Sequence, residues 1–295
     1  MLNFKKVELS DRQQAVPFLQ ALPYRLYDHS FVCHYIWQET YPISYAWEEG
    51  VLYIRYSLPE ETIYQMPLCA GDRLAEAVEK LRADAAEQGV DFAMIAVNAE
   101  MKAELEAALP GKLSFEESPD QADYMYEVEA LRELRGKKLH GKRNFVNRFR
   151  ATYEGEYEIV PLTAADGDEV LAFEEKWIAA RGADEDFHRE AVAIRRAFDA
   201  FEELGMTGVA LRLKGEIIAF ALGSRINGDT ILEDFEKAME IPGAYQTINQ
   251  AFMQYCGEGY TYVNREEDMG IEGLRKAKLS YAPAYLNMRY RVTFA

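Results

Sequence analysis

Basic side chains are scarce in this chain: 33 lysines and arginines face 50 acids, a net charge of −17 over 295 residues. A uniformly acidic surface repels nucleic acid and anionic membrane, so an anionic ligand must meet a local patch of opposite sign. Cysteine is scarcer still. Cys33, Cys69 and Cys256 form no CxxC pair and no even framework, which excludes a disulfide scaffold and fits a reducing compartment. They read as small buried hydrophobes. The four histidines, His29, His34, His140 and His188, show no metal-ligand spacing beyond a loose His29–His34 pair. HExxH, GxSxG and Walker A patterns are absent, which argues against zinc, serine-hydrolase and P-loop chemistry. No apolar run approaches the ~18 residues of a membrane helix. The opening MLNFKKVELS lacks the apolar core of a signal peptide. A cytoplasmic protein without an integral membrane segment is expected, and no metal.

What is present describes a folded chain. Hydrophobic residues make up 49% and charged residues 28%, ordinary for a globular protein, and the length suggests two domains or one large one. In the first half, strands are expected at residues 4–9, 43–47, 51–58, 62–68, 92–97 and 124–128. Helices are expected from Ser10-Asp11 to near Leu22, over 30–37, from Gly71-Asp72 onward and over 100–109. The helix after Asp72 keeps Leu74, Ala77, Val78 and Leu81 at the 3.6-residue period. In the second half, strands are expected at 157–161, 208–213, 217–226, 230–237, 260–264 and 285–293. Helices are expected at 166–181, 188–203, 244–256 and 271–281. Lys214-Gly215 and Asn227-Gly228 supply hairpin turns.

Each half therefore runs strand, two helices, three-strand meander, helix, strand, helix, strand. The fold class is α/β (α+β): two tandem domains, each a mixed, mostly antiparallel sheet flanked by helices, placed at 1–135 and 151–295. A parallel Rossmann sheet is disfavoured because hairpins join the central strands directly. Residues 136–150 are expected to form a basic linker helix. The wider stretch LRELRGKKLHGKRNFVNRFR, 131–150, holds eight lysines and arginines against one acid, Glu133, a local charge of +7. Leu139, Phe145, Val146 and Phe149 give it an apolar stripe. It reads either as a phosphate-binding element or as a helix whose cations neutralise an acidic face.

Three further stretches carry chemistry. IPGAYQTIN, 241–249, places Gly243 at a helix start, where unpaired N–H groups and the helix dipole suit phosphate. Gly243 would allow close backbone approach, with Gln246 and Thr247 as donors beside Tyr245; the alternative is a plain helix entry. ILEDFEKA, 231–238, ends a central strand in acids. Asp234 would serve as a base beside an amine, with Glu236 on the same face by the two-residue period; the alternative is exposed edge charge. NREEDMGIEGLRKAKLSY, 264–281, puts Arg275 and Lys278 on one helix face. Asp268 stands just before that helix, as a cap worth about 1 kcal/mol or as the holder of an ammonium. After Glu272 the chain has no acid but five cations.

The element order resembles the GNAT (acyl-CoA N-acyltransferase) fold in tandem. VNREEDMGIEGLRKAKLSYAP, with IPGAYQTINQAF upstream and GKKLHGKRNFVNRF between the halves, is similar to the C-terminal domain of phosphatidylglycerol lysyltransferases and their soluble, largely uncharacterised relatives. That family moves an aminoacyl group from a charged tRNA to phosphatidylglycerol, using the second GNAT-like half. The resemblance implies that Asp268, Arg275 and Lys278 fall in the active region. It also implies that Lys138, Lys142, Arg143 and Asn144 face donor phosphate. The glycine-rich pyrophosphate loop of the GNAT fold is matched in part by Pro242-Gly243-Ala244-Tyr245-Gln246, and the multi-helix integral domain of the membrane enzymes is not matched.

The resulting expectation is a soluble acyl- or aminoacyl-transferase. Its donor would be an aminoacyl-tRNA or acyl-CoA, and its acceptor a small molecule or headgroup with an amine or hydroxyl. Asp234 would sit near the donor carbonyl, Asp268 would orient the nucleophile or an α-ammonium, and Arg275 and Lys278 would stabilise oxyanion or phosphate charge. Tyr281 is the acid for the leaving group. On this expectation Arg275→Ala abolishes transfer and leaves folding intact. The alternative is a catalytically silent module that binds an anionic ligand. The first domain has no equivalent of residues 264–281, so a structural role is expected there.

Overall fold

Short runs of β-branched and aromatic residues, bounded by tight turns, build two sheets in the computed structural model, which describes residues 2–69, 72–182 and 184–295. The strands in chain order are β1 (Lys5–Lys6), β2 (Ile43–Glu48), β3 (Val51–Ser57), β4 (Thr62–Gln65), β5 (Met94–Val97), β6 (Leu113–Glu117) and β7 (Asp123–Glu127). They continue with β8 (Tyr157–Pro161), β9 (Thr207–Leu213), β10 (Glu216–Arg225), β11 (Thr230–Ala238), β12 (Tyr262–Asn264), β13 (Tyr285–Asn287) and β14 (Tyr290–Phe294). The first sheet has the order β1-β2-β3-β4-β5-β14-β6 and the second β13-β7-β12-β11-β10-β9-β8. Both are mixed. Each holds a parallel pair, β4–β5 and β11–β12, among antiparallel neighbours. The expected meanders are present as β2-β3-β4 and β9-β10-β11.

The chain divides into two compact units, Met1–Asp123 with Asn287–Ala295, and Tyr124–Leu286. The break is not where the charge pattern puts it. Residues 124–150 lie in the second unit, because β7 pairs with β12 and the helix His140–Thr152 buries Val146 and Phe149, each 1% exposed. An apolar stripe on a helix must find a core, so the basic segment is part of that unit, not a link. Phe145, expected in the stripe, is 44% exposed.

Other differences have local causes. The expected strand 285–293 is two strands, because Arg289 turns inward to pair with Asp28 at 2.7 Å and with Asp123, leaving it 4% exposed. The expected strand 62–68 stops at Gln65, ahead of Pro67, which cannot donate to a ladder; Leu68 returns only as a bridge to Leu52. β6 was not expected, since LSFEE offers little apolar surface. It forms because β14 pairs with it, and Phe115 meets Tyr290 edge-on at 6.5 Å. The expected helix 188–203 breaks into Glu185–Asp199 and Phe201–Leu204. The helix expected from Gly71 begins at Leu74, and Gly71 lies outside the described residues.

In the second unit, the helix Ala244–Tyr255 lays Ile248 and Phe252 onto the sheet at 0% exposure. Each such side chain contributes about 1.5–3 kcal/mol. In the first unit the core carries polar groups as well. His29 and His34 are each 1% exposed. His34 Nε2 lies 3.0 Å from Gln65 Nε2, and its Nδ1 lies 2.6 Å from the Tyr45 hydroxyl. Burial first of all, with the positive charge of Arg289 adding to it at His29, lowers both pKa values to about 3.

That shift sets a pH dependence. Between about pH 3 and the unfolded value of about 6.5, the unfolded chain binds more protons than the native one, so stability falls as pH drops. Each histidine contributes a slope of about 1.4 kcal/mol per pH unit. We expect His29→Leu to flatten the dependence of urea stability on pH between 6 and 4.5 by about that amount. The comparison is made in a Trp177→Phe background, where Trp37 and Trp47 of the first unit report. Equal slopes in the two proteins would remove buried neutral His29 as the cause.

Candidate functional site

The second sheet opens at its parallel pair. β11 and β12 pair through Thr230↔Tyr262, Ile231↔Val263 and Leu232↔Asn264, and β12 ends there while β11 runs on to Ala238. Just past that point β11 is bulged: Gly223 faces Glu233 but Leu222 faces Phe235, so Asp234 is the extra residue. A bulge resets the alternation of side chains. The bulge brings Glu236 to the same face as Glu233, where both meet Arg265. Asp234 is itself buried, 6% exposed.

Arg265, the first residue after β12, fills the opening. Its Nε pairs with Glu233 and its Nη2 lies 3.0 Å from Glu236 Oε1. The other Glu236 oxygen accepts from Asn249 Nδ2 at 2.8 Å. The side chains of Glu233, Arg265 and Glu236 are 2%, 10% and 12% exposed. Tyr281 and Lys142 complete the group. The Arg265 guanidinium stands 5.1 Å from the Tyr281 ring centre, and the Lys142 ammonium 3.9 Å from it.

The electrostatics follow from burial. Desolvation pushes the Glu233 carboxyl well above its usual range; Arg265 pulls it back and the charge of Glu236 pushes it up again. Burial thus favours the neutral form of Glu233, while Arg265 opposes it. Lys142 is lowered by burial and by Arg265, with Glu236 opposing. Burial and then Glu236 raise the Tyr281 hydroxyl, so it holds its proton and is a hydrogen-bond donor. Arg265 and Lys142 are the cations this group offers to an anionic ligand or a developing oxyanion.

Asp268, Arg275 and Lys278 stand beside this group and build the loop that carries Arg265. Asp268 is 2% exposed. Its Oδ2 accepts from Arg275 Nε at 2.8 Å and from the Tyr124 hydroxyl at 2.6 Å; its Oδ1 accepts from Arg275 Nη2 and the Gly270 N–H, each at 2.9 Å. These bonds, Arg275 first, hold its carboxyl below the usual range against the effect of burial. Such a carboxylate is a poor proton acceptor. Lys278 donates to the backbone carbonyls of Arg265 and Glu267, and its own carbonyl accepts from the Tyr126 hydroxyl at 2.8 Å. Glu266 and Met269 sit at φ +55° and +52°, each a strain of about 1–3 kcal/mol. Lys278 and the Asp268–Gly270 turn hold that loop in place.

The other sequence-derived residues divide. Gly243, at φ +90°, does allow a close approach, but to protein: a Cβ there would lie 2.7 Å from the Phe145 carbonyl oxygen and 2.8 Å from Phe149 Cβ. The helix His140–Thr152 thus covers the helix start that had been read as a phosphate site. Thr247 is buried, Tyr245 packs against the core and Gln246 is half-buried. Arg143 Nη1 caps the Leu134 carbonyl at 2.8 Å, and Arg143 and Asn144 both meet the His140 ring. Lys138 is exposed, as are Lys137 and Arg148. Arg265 was missed by sequence reasoning, and Glu233 and Glu236 were seen only as neighbours of Asp234. Arg265 directly follows the end of β12, and that adjacency was its one sequence signal.

Residues 20–293 match the family described as phosphatidylglycerol lysyltransferase, C-terminal. The chain is similar to a conserved protein of unknown function from Bacteroides thetaiotaomicron, with 38% identity, TM-score 0.95 and full coverage of both chains. It is similar in fold to L-PGS from Bacillus licheniformis, with 15% identity, TM-score 0.67, and 96% of this chain and 91% of that one covered. It is also similar in fold to a tandem GNAT protein from the clavulanic acid biosynthesis pathway, with 10% identity, TM-score 0.53, and 100% and 98% covered. An uncharacterised protein of Mycoplasmoides gallisepticum is 24% identical over 172 residues, or 58% of this chain, and the chain spans 55% of that relative's length. Both units thus carry GNAT-like folds. No described helix is long and apolar enough to cross a membrane.

Because Arg275 supplies two of the bonds to a buried carboxylate, we expect Arg275→Ala to destabilise the protein, correcting the expectation that folding stays intact. The loss should be about 1–3 kcal/mol by urea unfolding at pH 7. The Asp268 contribution is present above the unfolded pKa of about 3.9 and is lost as pH falls through the depressed folded value. Wild-type stability in Arg275→Ala would mean that Tyr124 and Gly270 suffice.

Proposed function

The chain belongs to the phosphatidylglycerol lysyltransferase C-terminal family, a family of transferases, and from that premise we propose that it moves an acyl or aminoacyl group from an activated donor to an amine or hydroxyl acceptor. The observation that carries this reading is the buried Glu233–Arg265–Glu236 group at the opening between β11 and β12. Acyl transfer can use such a pair of acids. The attacking amine or hydroxyl gives up a proton, which Glu236 accepts, while its lone pair bonds to the donor carbonyl carbon. Charge then gathers on the carbonyl oxygen, where Arg265, Lys142 and the Tyr281 hydroxyl stabilise it. When the bond to the donor oxygen or sulfur breaks, Glu233 returns a proton to the leaving group. Asp268, Arg275 and Lys278 act by holding the Arg265 loop. Asp234 has a role in the bulge that turns Glu236 toward Arg265.

Between donors, the covered helix start at Gly243 favours an aminoacyl-tRNA over acyl-CoA. The phosphate-binding position read from sequence is taken by Phe145, and the exposed Lys137, Lys138 and Arg148 suit a nucleic-acid backbone better than one pyrophosphate. A headgroup or a small amine is the acceptor class. The alternative, a silent binding module, requires a ligand that stabilises the protein without turnover.

The test is transfer from lysyl-tRNA and, separately, from acetyl-CoA, to phosphatidylglycerol headgroup analogues and simple amines. Glu236→Gln should lower kcat about 10²–10⁴-fold with its melting temperature near that of wild type. Wild-type turnover in Glu236→Gln would remove Glu236 as the base. Thermal stabilisation by donor with no product from any acceptor would favour the silent module.

A further inference from the structure

The strand that carries Glu233 and Glu236 has a second buried charge, on its other face, that the proposed chemistry does not use. Lys237 follows Glu236 directly and is 3% exposed. Consecutive strand residues point to opposite faces, and Lys237 reaches the two helices there. Its ammonium pairs with Glu174 of the helix Gly167–Arg181, and with Glu190 of the helix Glu185–Asp199 at 2.7 Å. It also lies 4.0 Å from the Trp177 ring centre and 5.7 Å from that of Phe187. Phe187 meets Trp177 edge-on at 5.0 Å, and the Arg181 guanidinium stacks on Trp177 at 4.0 Å. The Trp177 indole N–H donates to the Ala238 carbonyl at 3.0 Å, so the next residue of β11 is tied to the same helix.

A buried ion group of this kind is a weak source of stability, because desolvation offsets most of the attraction. Burial holds the Glu174 carboxyl above its usual range even with Lys237 beside it. What the group does supply is position. Past Leu232, β11 has no ladder to β12, and the bulge at Asp234 interrupts its pairing with β10 before it resumes at Phe235. Beyond the bulge, residues 235–238 pair in register with β10 but have no ladder to β12, so the rotation of the strand at the bulge itself is set on one edge only. Fixing the Lys237 ammonium between Glu174, Glu190 and Trp177 sets that rotation, and with it the direction in which Glu236 leaves the opposite face.

We propose that Lys237, with Glu174 and Trp177, is a positioning residue for the Glu233–Glu236 pair, holding the bulged end of β11 so that both carboxylates reach Arg265. The kinetic consequence rests on the transferase reading; the geometric consequence does not.

The test is the double variant Lys237→Met with Glu174→Met, which removes both fully buried charges together and leaves neither without its partner; Glu190, with 26% of its side chain exposed, is hydrated. We expect its melting temperature to stay within about 4 °C of wild type. Its kcat should fall about 10²-fold, the scale of a small misplacement of a reacting group, with KM unchanged. Independently of activity, the infrared band of a protonated carboxyl that Glu233→Gln removes should change its pH midpoint by about one unit or more. Either direction supports the proposal, because loss of Arg265 and loss of Glu236 act oppositely on Glu233. Wild-type kcat together with an unmoved midpoint would overturn it. If wild type transfers nothing, the transferase reading fails and the infrared midpoint alone decides positioning. If the double variant does not fold, Trp177→Phe keeps both charges, loses the bond to Ala238 and takes the same two measurements.

Discussion

Arg265 is the cation on which the second unit's centre depends. Two parallel strands that separate leave backbone groups and charged side chains facing each other with nothing between them. A guanidinium fits that place because it is planar, permanently charged and able to address two carboxylates at once. With Arg265 in the opening, Glu233 and Glu236 are held on one guanidinium, and burial raises the Glu233 carboxyl. The rest of the neighbourhood serves that arrangement. Lys278 fixes the backbone of Arg265 itself, Asp268 and Arg275 fix the loop that follows, and the bulge at Asp234 turns Glu236 to the right face.

The first unit repeats the theme with different chemistry. It too has a parallel pair, β4–β5, and a buried arginine between two acids, Arg289 between Asp28 and Asp123, over the Tyr27 ring at 4.2 Å. Its acids come from separate segments, not from one bulged strand, and its neighbouring polar groups are the neutral histidines and Gln65. A buried charge group of this kind contributes more to uniqueness of packing than to net stability.

Legibility from sequence varied with how local the cause was. The meanders, the Asn227-Gly228 hairpin and the amphipathic helices were legible because turn chemistry and periodicity act over a few residues. The divided C-terminal strand was not, because Arg289 breaks it to reach Asp28 and Asp123, far away in the chain. At the site, Lys142 and Tyr281 were singled out from separate stretches and do meet. Asp268, Arg275 and Lys278 were chosen from their spacing and do cluster, but as the frame of a loop. Gly243 was read as a point where phosphate comes close; the close approach there is by the helix His140–Thr152, which nothing in IPGAYQTIN announces.

By itself, then, the sequence determined the two meanders, most helices, the mixed sheets and the two charge-dense stretches, because propensity, periodicity and turn residues are properties of neighbours along the chain. Only the tertiary structure decided which carboxylates act together. That Glu233 and Glu236 meet on one guanidinium depends on one extra residue in the register of β11 against β10. That the Glu233 carboxyl is raised depends on how deeply it is buried, against the pull of Arg265. Both are set by packing between segments distant in sequence, where burial and Coulomb interaction, not spacing, determine the outcome.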